Sequence, residues 1–217
     1  MPGQSSSPIV RPGSLNPGSD LSRPPCYHAA VKILRALIIL ILLAGPAAAA
    51  EDPVAMTPSQ KALMQDAYRG DLEAVKVIVS KGTSVNSADA THRTALMWAA
   101  LRGQTAVVEF LHGKGADINA MDEDGQTALL YSARASFPGT VEYLLKNGAD
   151  VNVRSKKFGI TPLIAATAAG NVEIARLLLA HGADPSIKDN DGFVALDIAR
   201  QYKFTPLIEL LENPPGP

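Results

Sequence analysis

Apolar residues fall into two regimes along the chain. Over residues 58–212 short helix-spaced clusters return at a fixed interval. Leu63, Leu96, Leu129, Leu163 and Leu196 recur at 33, 33, 34 and 33 residues, and Gly82, Gly115, Gly148 and Gly182 at 33, 33 and 34. Asn86, Asn119 and Asn152 keep the same phase, as do Thr94, Thr127 and Thr161, each two residues ahead of its leucine. A period of this size marks one supersecondary unit copied along the chain.

Within one unit, Thr94 is an N-cap for a helix over 95–102 that Gly103 ends, and 105–112 forms a second helix with Val107, Val108, Phe110 and Leu111 turned inward. Gly115 supplies a left-handed C-terminal residue, and Ala116-Asp117-Ile118-Asn119 leads into an extended turn toward Asp122 and Gly125. Two helices of about eight residues are too short to be stable alone, so the units must stack. The expected fold is an all-α solenoid of about five units with protruding, hairpin-like turns: 58–89, 90–122, 123–155, 156–189 and 190–212. The ends read as caps. Thr57-Pro58-Ser59-Gln60 has a capping-box arrangement with proline at the first helical position. In the last unit Val194 replaces the threonine and Lys203 the helix-ending glycine, and Arg200 and Gln201 suit an outer face without a neighbour. Residues 51–57 form a linker and 213–217 a proline-rich tail.

Residues 1–50 follow another pattern. Pro2 to Pro25 is dominated by Pro, Gly, Ser and Asn, too poor in apolar residues to offset the entropy of ordering. Lys32 and Arg35 then precede an uncharged apolar run from Ala36 to Ala44, followed by Gly45, Pro46 and four alanines. Cationic, apolar and small-residue segments in this order describe a secretory signal peptide over 31–50, cleaved between Ala50 and Glu51, with Ala48 and Ala49 as alternative sites. Counted to Ala50 the run has 15 residues, short of the about 20 a spanning helix needs. An uncleaved signal anchor is the alternative. Cys26 lies upstream of the run, not where a lipoprotein cysteine would follow it. Residues 1–30 are a disordered leader or a mis-assigned start, with translation beginning at Val31.

Composition narrows the chemistry. One cysteine in 217 residues excludes a disulfide framework and a cysteine-based zinc site. From Glu51 onward 16 Lys plus Arg face 20 Asp plus Glu, a net of -4, which disfavours nucleic acid and anionic membrane surfaces as partners. There is no phosphate-binding glycine loop, no His-x-x-x-His pair and no Gly-x-Ser-x-Gly elbow after Glu51. His112 and His181 fall in the last turns of second helices, and His92 takes a turn position that Gly125 fills one unit later, so capping and turn roles are expected. Asp117, Asp150 and Asp184 are in phase and are expected to bond turn backbone, and Trp98 to pack beside Leu96. No catalytic residue, cofactor or metal is expected.

Thr94-Ala95-Leu96, Thr127-Ala128-Leu129 and Thr161-Pro162-Leu163, with Gly115-Ala116-Asp117-Ile118-Asn119, Gly148-Ala149-Asp150-Val151-Asn152 and Gly182-Ala183-Asp184, resemble the ankyrin repeat over about 58–212. The histidine that often follows Thr-Pro-Leu in that family is replaced by Met97, Leu130 and Ile164, making this layer more apolar. The resemblance implies protein partners bound on a concave face built from first-helix ends and turn tips. By phase these are Tyr68, Arg69, Leu101, Arg102, Arg134, Ala135, Ala168 and Ala169 on helices. On the turns they are Ala90, Thr91, Arg93, Glu123, Asp124, Gln126, Lys156, Lys157, Phe158, Ile160, Asn190, Asp191 and Phe193.

Two features of that face are candidates. Arg69, Arg102 and Arg134 stand in consecutive repeats, Arg134 one position earlier in phase, and form either a guanidinium ladder for an acidic partner or plain solubilising charge. The third turn carries an extra residue between Asn152 and Thr161, presenting Lys156, Lys157 and Phe158 as a basic, apolar finger that Phe193 would extend; the other reading folds Phe158 back onto a neighbouring turn. The expected function is a monomeric, non-enzymatic, periplasmic or secreted bacterial binding module, either an accessory scaffold or an inhibitor or immunity protein. The alternatives are an adaptor anchored in the inner membrane through an uncleaved signal and an enzyme with an unrecognised site.

Overall fold

The computed structural model describes residues 56–214, and the expected leader and its cleavage site at Ala50 and Glu51 lie outside them. Ten helices are present among the described residues, in five pairs: α1 (Pro58–Arg69) with α2 (Leu72–Ser80), α3 (Ala95–Leu101) with α4 (Thr105–Gly113), α5 (Ala128–Ala135) with α6 (Pro138–Lys146), α7 (Pro162–Ala168) with α8 (Val172–Ala180), and α9 (Ala195–Gln201) with α10 (Thr205–Glu212). First helices stack on first helices and second helices on second helices, so each pair packs against its sequence neighbours. The fold is the expected all-α solenoid.

Threonine chemistry starts the first helices. The hydroxyls of Thr94, Thr127 and Thr161 accept from the N–H of Met97, Leu130 and Ile164 at 3.4, 3.4 and 3.2 Å. At the N-terminal edge Thr57 and Gln60 cap each other reciprocally, at 2.9 and 3.3 Å. Val194 has no hydroxyl; there the Asp197 carboxylate accepts from the Val194 N–H at 3.1 Å.

The periodic leucines make the core. Leu63, Leu96, Leu129 and Leu163 are all but sealed from solvent, and Met97, Leu130 and Ile164, where the family often has histidine, are buried beside them. The last of the series, Leu196, is only half-buried, as suits a unit with no successor.

Between repeats the in-phase asparagines act as clasps. The Asn86, Asn119 and Asn152 amides donate to the carbonyls of Gly115, Gly148 and Gly182 at 3.0, 3.0 and 3.2 Å. The same side chains accept from the N–H of Asp117, Asp150 and Asp184 at 2.9, 2.8 and 2.8 Å. Those aspartates in turn accept from the backbone two residues on, at Asn119, Asn152 and Ser186. The protruding fingers are closed by backbone bonds, Asp89 N–H to the Arg93 carbonyl with His92 N–H to the Asp89 carbonyl, and Asp122 N–H to the Gln126 carbonyl with Gly125 N–H to the Asp122 carbonyl, and an isolated bridge joins Ala88 and Thr94. Finger is tied to finger: the N–H groups of Glu123, Lys156 and Asn190 donate to the carbonyls of Thr91, Asp124 and Phe158. His92 has φ 60 where Gly125 has φ 72, the turn role expected of it.

Candidate partner-binding face

First helices and fingers together line one side of the stack, here called the inner face. Its most ordered part is a row of aromatic rings with guanidinium groups on them. Tyr68, at the end of α1, meets Trp98 of α3 edge to face at 5.8 Å between centroids. Arg102, just after α3, lies over the Tyr68 ring at 5.0 Å, and Arg93, on the first finger, over the Trp98 ring at 4.2 Å. Each end of the Tyr68–Trp98 pair is thus capped by a cation, an arrangement that strengthens as it is desolvated. Arg93 is fixed further: its Nε donates to the Thr91 hydroxyl at 2.7 Å and lies 3.3 Å from the Asp89 carboxylate.

One repeat on, Tyr131 of α5 stands in the phase of Trp98. Its hydroxyl donates to Asp122 at 2.5 Å, while the other Asp122 oxygen accepts from the Gln126 N–H at 2.8 Å. Burial, then the bond to Asp122, holds the Tyr131 phenol well above its ordinary pKa. Arg134 sits 5.1 Å over the Tyr131 ring, with its Nη2 sealed from solvent and without an acceptor among the described residues. Burial lowers the Arg134 pKa against the pull of Tyr131 and Asp122.

Two residues expected on this face are not presented by it. Leu101 is 4 % exposed and belongs to the core. Arg134 shares the phase of Leu101, not of Arg102, so its side chain enters the wall beside Tyr131 and does not join a surface ladder. The remaining predicted positions divide into two regions. Tyr68, Arg69, Arg93 and Arg102 gather at the first two repeats, with Arg69 exposed and 3.5 Å from Asp66. Lys156, Lys157 and Phe158 occupy the tip of the lengthened finger, where Phe158 is 43 % exposed and does not fold back. That tip is held from behind, the Asn190 amide donating to the carbonyls of Lys156 and Lys157 at 3.4 and 3.2 Å. Phe193 does not extend it; its ring is half-buried and packs on the main core.

Trp98 and Tyr131 are the residues that sequence reasoning did not place here. Both lie four residues after a capping threonine, as does Ala165, and that shared register is the signal that would have found them. On the opposite side His112 does more than end a helix: its Nδ1 is 3.0 Å from the Tyr143 hydroxyl in the next repeat. His181 bonds the Leu177 carbonyl at 2.9 Å through its Nδ1, as a capping residue would. Among the described residues no group of His, Cys, Asp and Glu could hold a metal ion, and no helix is long and apolar enough to cross a membrane.

A family model described as ankyrin repeats (3 copies) matches residues 63–155 and again 139–215. XBAT34 of Arabidopsis thaliana, whose name assigns it to the E3 ubiquitin-protein ligases, is 38% identical over 60 residues. That segment is 28% of this chain and 16% of the plant protein, so the chain matches about a sixth of the relative's length.

Proposed function

Because this chain belongs to the ankyrin repeat family, whose members generally serve as non-enzymatic interaction modules, we propose that it is an exported module that docks one protein partner on its inner face. The observation that carries this is the Arg102–Tyr68–Trp98–Arg93 row. Arginine and large aromatics supply most of the energy at protein interfaces, and here they are already immobilised, so less ordering entropy is lost on binding. The fixed finger carrying Phe158 offers a second anchor further along the stack.

Export rests on the sequence from Lys32 to Ala50, and removal of that segment also removes Cys26. A cysteine-free stacked array is suited to an oxidising compartment of a bacterial cell or its surroundings. The role there is that of an accessory scaffold or of an inhibitor occluding an exported enzyme or toxin. The ligase naming of XBAT34 is not carried over, since the likeness is confined to 60 residues.

The test has two parts. N-terminal sequencing of protein from fractionated cells is expected to begin at Glu51 in the soluble exported fraction; an intact leader in the membrane fraction would replace export by membrane tethering. Affinity capture from the same fraction is expected to yield a partner that is lost with Ala169→Phe, which adds bulk at the exposed phase equivalent of Arg102, and kept with Val77→Ser on the exposed side of α2. The reverse pattern would remove the inner face from the reading.

A further inference from the structure

We propose that the first two repeats form a carboxylate-recognition site, which takes a short acidic element of the partner, with Arg102 and Arg93 as the groups that bind it. The inference rests on the inner-face reading and adds the partner's chemistry to it. Both guanidiniums lie over rings, Arg102 at 5.0 Å from the Tyr68 centroid and Arg93 at 4.2 Å from the Trp98 centroid. A cation–π contact consumes none of the guanidinium N–H donors, which stay available to a planar acceptor such as a carboxylate.

The bonding inventory leaves those donors available. Arg102 has neither a carboxylate nor a hydrogen-bond acceptor among the described residues, its contact being the Tyr68 ring. Arg93 spends only Nε, on Thr91 and Asp89, and its two terminal nitrogens carry no bond among the described residues. Arg69, exposed one repeat before Arg102 in the same phase, adds positive charge beside them. Arg93 and Arg69 each have a carboxylate nearby, Asp89 at 3.3 Å and Asp66 at 3.5 Å, which leaves Arg102 as the cation of this patch without one among the described residues.

The surroundings limit what kind of anion fits. The next finger carries exposed Glu123 and Asp124 beside this patch, which would repel a continuous polyanion running along the face. One or two carboxylates on a protein element reach Arg102 and the terminal nitrogens of Arg93 without running along that acidic finger. Toward the fourth repeat the positions equivalent to Trp98, Leu101 and Arg102 are Ala165, Ala168 and Ala169, so the surface there is low enough for the rest of the partner to pass close to it.

Trp98 is the single tryptophan of the chain and lies under Arg93, so its fluorescence reports on the site directly. A blocked tetraglutamate peptide in low-salt buffer is expected to change Trp98 emission saturably. Tetraglutamine, or tetraglutamate against Arg102→Gln, should bind about tenfold more weakly, the loss expected for one charge-assisted hydrogen bond. Arg102→Lys, which keeps the charge but not the fork, should fall between, and far-UV circular dichroism checks that each variant is folded. Equal responses to the two peptides, or wild-type affinity in Arg102→Gln, would overturn the assignment, as would tighter binding of oligothymidine than of tetraglutamate. A captured partner lost with Ala169→Phe but retained by Arg102→Gln overturns the carboxylate site alone. Retention by both overturns the inner face as well.

Discussion

Arg134 owes its position to a single residue of phase. Placed like Arg102 it would stand on the surface; placed like Leu101 it enters the wall, where its Nη2 has no acceptor among the described residues and burial lowers its pKa. A half-buried cation held by a ring and by nearby charge, with one nitrogen sealed from solvent and unbonded, contributes little to stability. Arg134→Met is therefore expected to leave unfolding free energy within about 1 kcal/mol of wild type or to raise it, as measured by urea denaturation. Asp122 keeps its bonds to Gln126 and Tyr131 in that variant. Tyr131→Phe should behave differently, costing about 1–2 kcal/mol because one Asp122 oxygen loses its donor. The two variants also separate by pH. Burial and Asp122 raise the Tyr131 pKa in the folded chain above the unfolded value of about 10, so the folded state holds this proton more tightly. That contribution is complete below about pH 10 and is lost as the pH climbs toward the folded value. Wild type should lose stability above about pH 10 more steeply than Tyr131→Phe; parallel profiles would mean the phenol is not protected.

At the level of elements, each of the first three repeats is fastened to the next by an asparagine that bonds a glycine carbonyl and an aspartate N–H across 29 to 32 residues. Recurrence of Asn86, Asn119 and Asn152 was visible in the sequence, but their partners were not, because a period reveals equivalent positions and not which of them touch. Asn119→Ala removes both halves of a clasp and should cost about 2 kcal/mol, more than the about 1 kcal/mol expected for deleting the Thr127 cap. Urea denaturation of the two variants checks the order. Glycines of the connections differ in the same local way. Gly103 (φ 67) and Gly115 (φ 87) both need a left-handed backbone, but a Cβ on Gly103 would run into the Phe137 ring of the next repeat, while one on Gly115 meets nothing within 4 Å. Gly103→Ala should therefore lower the melting temperature further than Gly115→Ala, and equal losses would reduce the difference to backbone strain alone.

For the molecule as a whole, the fold was nearly all legible because a repeat states the same packing instruction several times: the periodic leucines marked all five units, and the in-phase capping threonines repeated that reading in the central three. The binding face was legible only in part. Phase located Arg102 and the Phe158 finger, yet the stacking of Arg93 on Trp98 joins a finger to a helix, and Tyr68 reaches Trp98 from the preceding repeat. Such contacts depend on how units sit against each other, which no single unit encodes. The same architecture governs unfolding. Helix contacts run within a repeat or between adjacent ones, so stability is a sum of local terms and not one indivisible core. Leu111 in α4 and Leu207 in α10 are both fully buried, and truncating either to alanine should cost about 2–5 kcal/mol. Leu111→Ala lies in the repeat of Trp98 and should lower the fluorescence and circular-dichroism midpoints together. Leu207→Ala lies at the C-terminal end and should release helix signal first, with the Trp98 transition following at higher urea. Coincident midpoints in Leu207→Ala would instead mean that the interfaces couple all five repeats, making the inner face a single rigid surface on which loss at one end is felt at the arginine row.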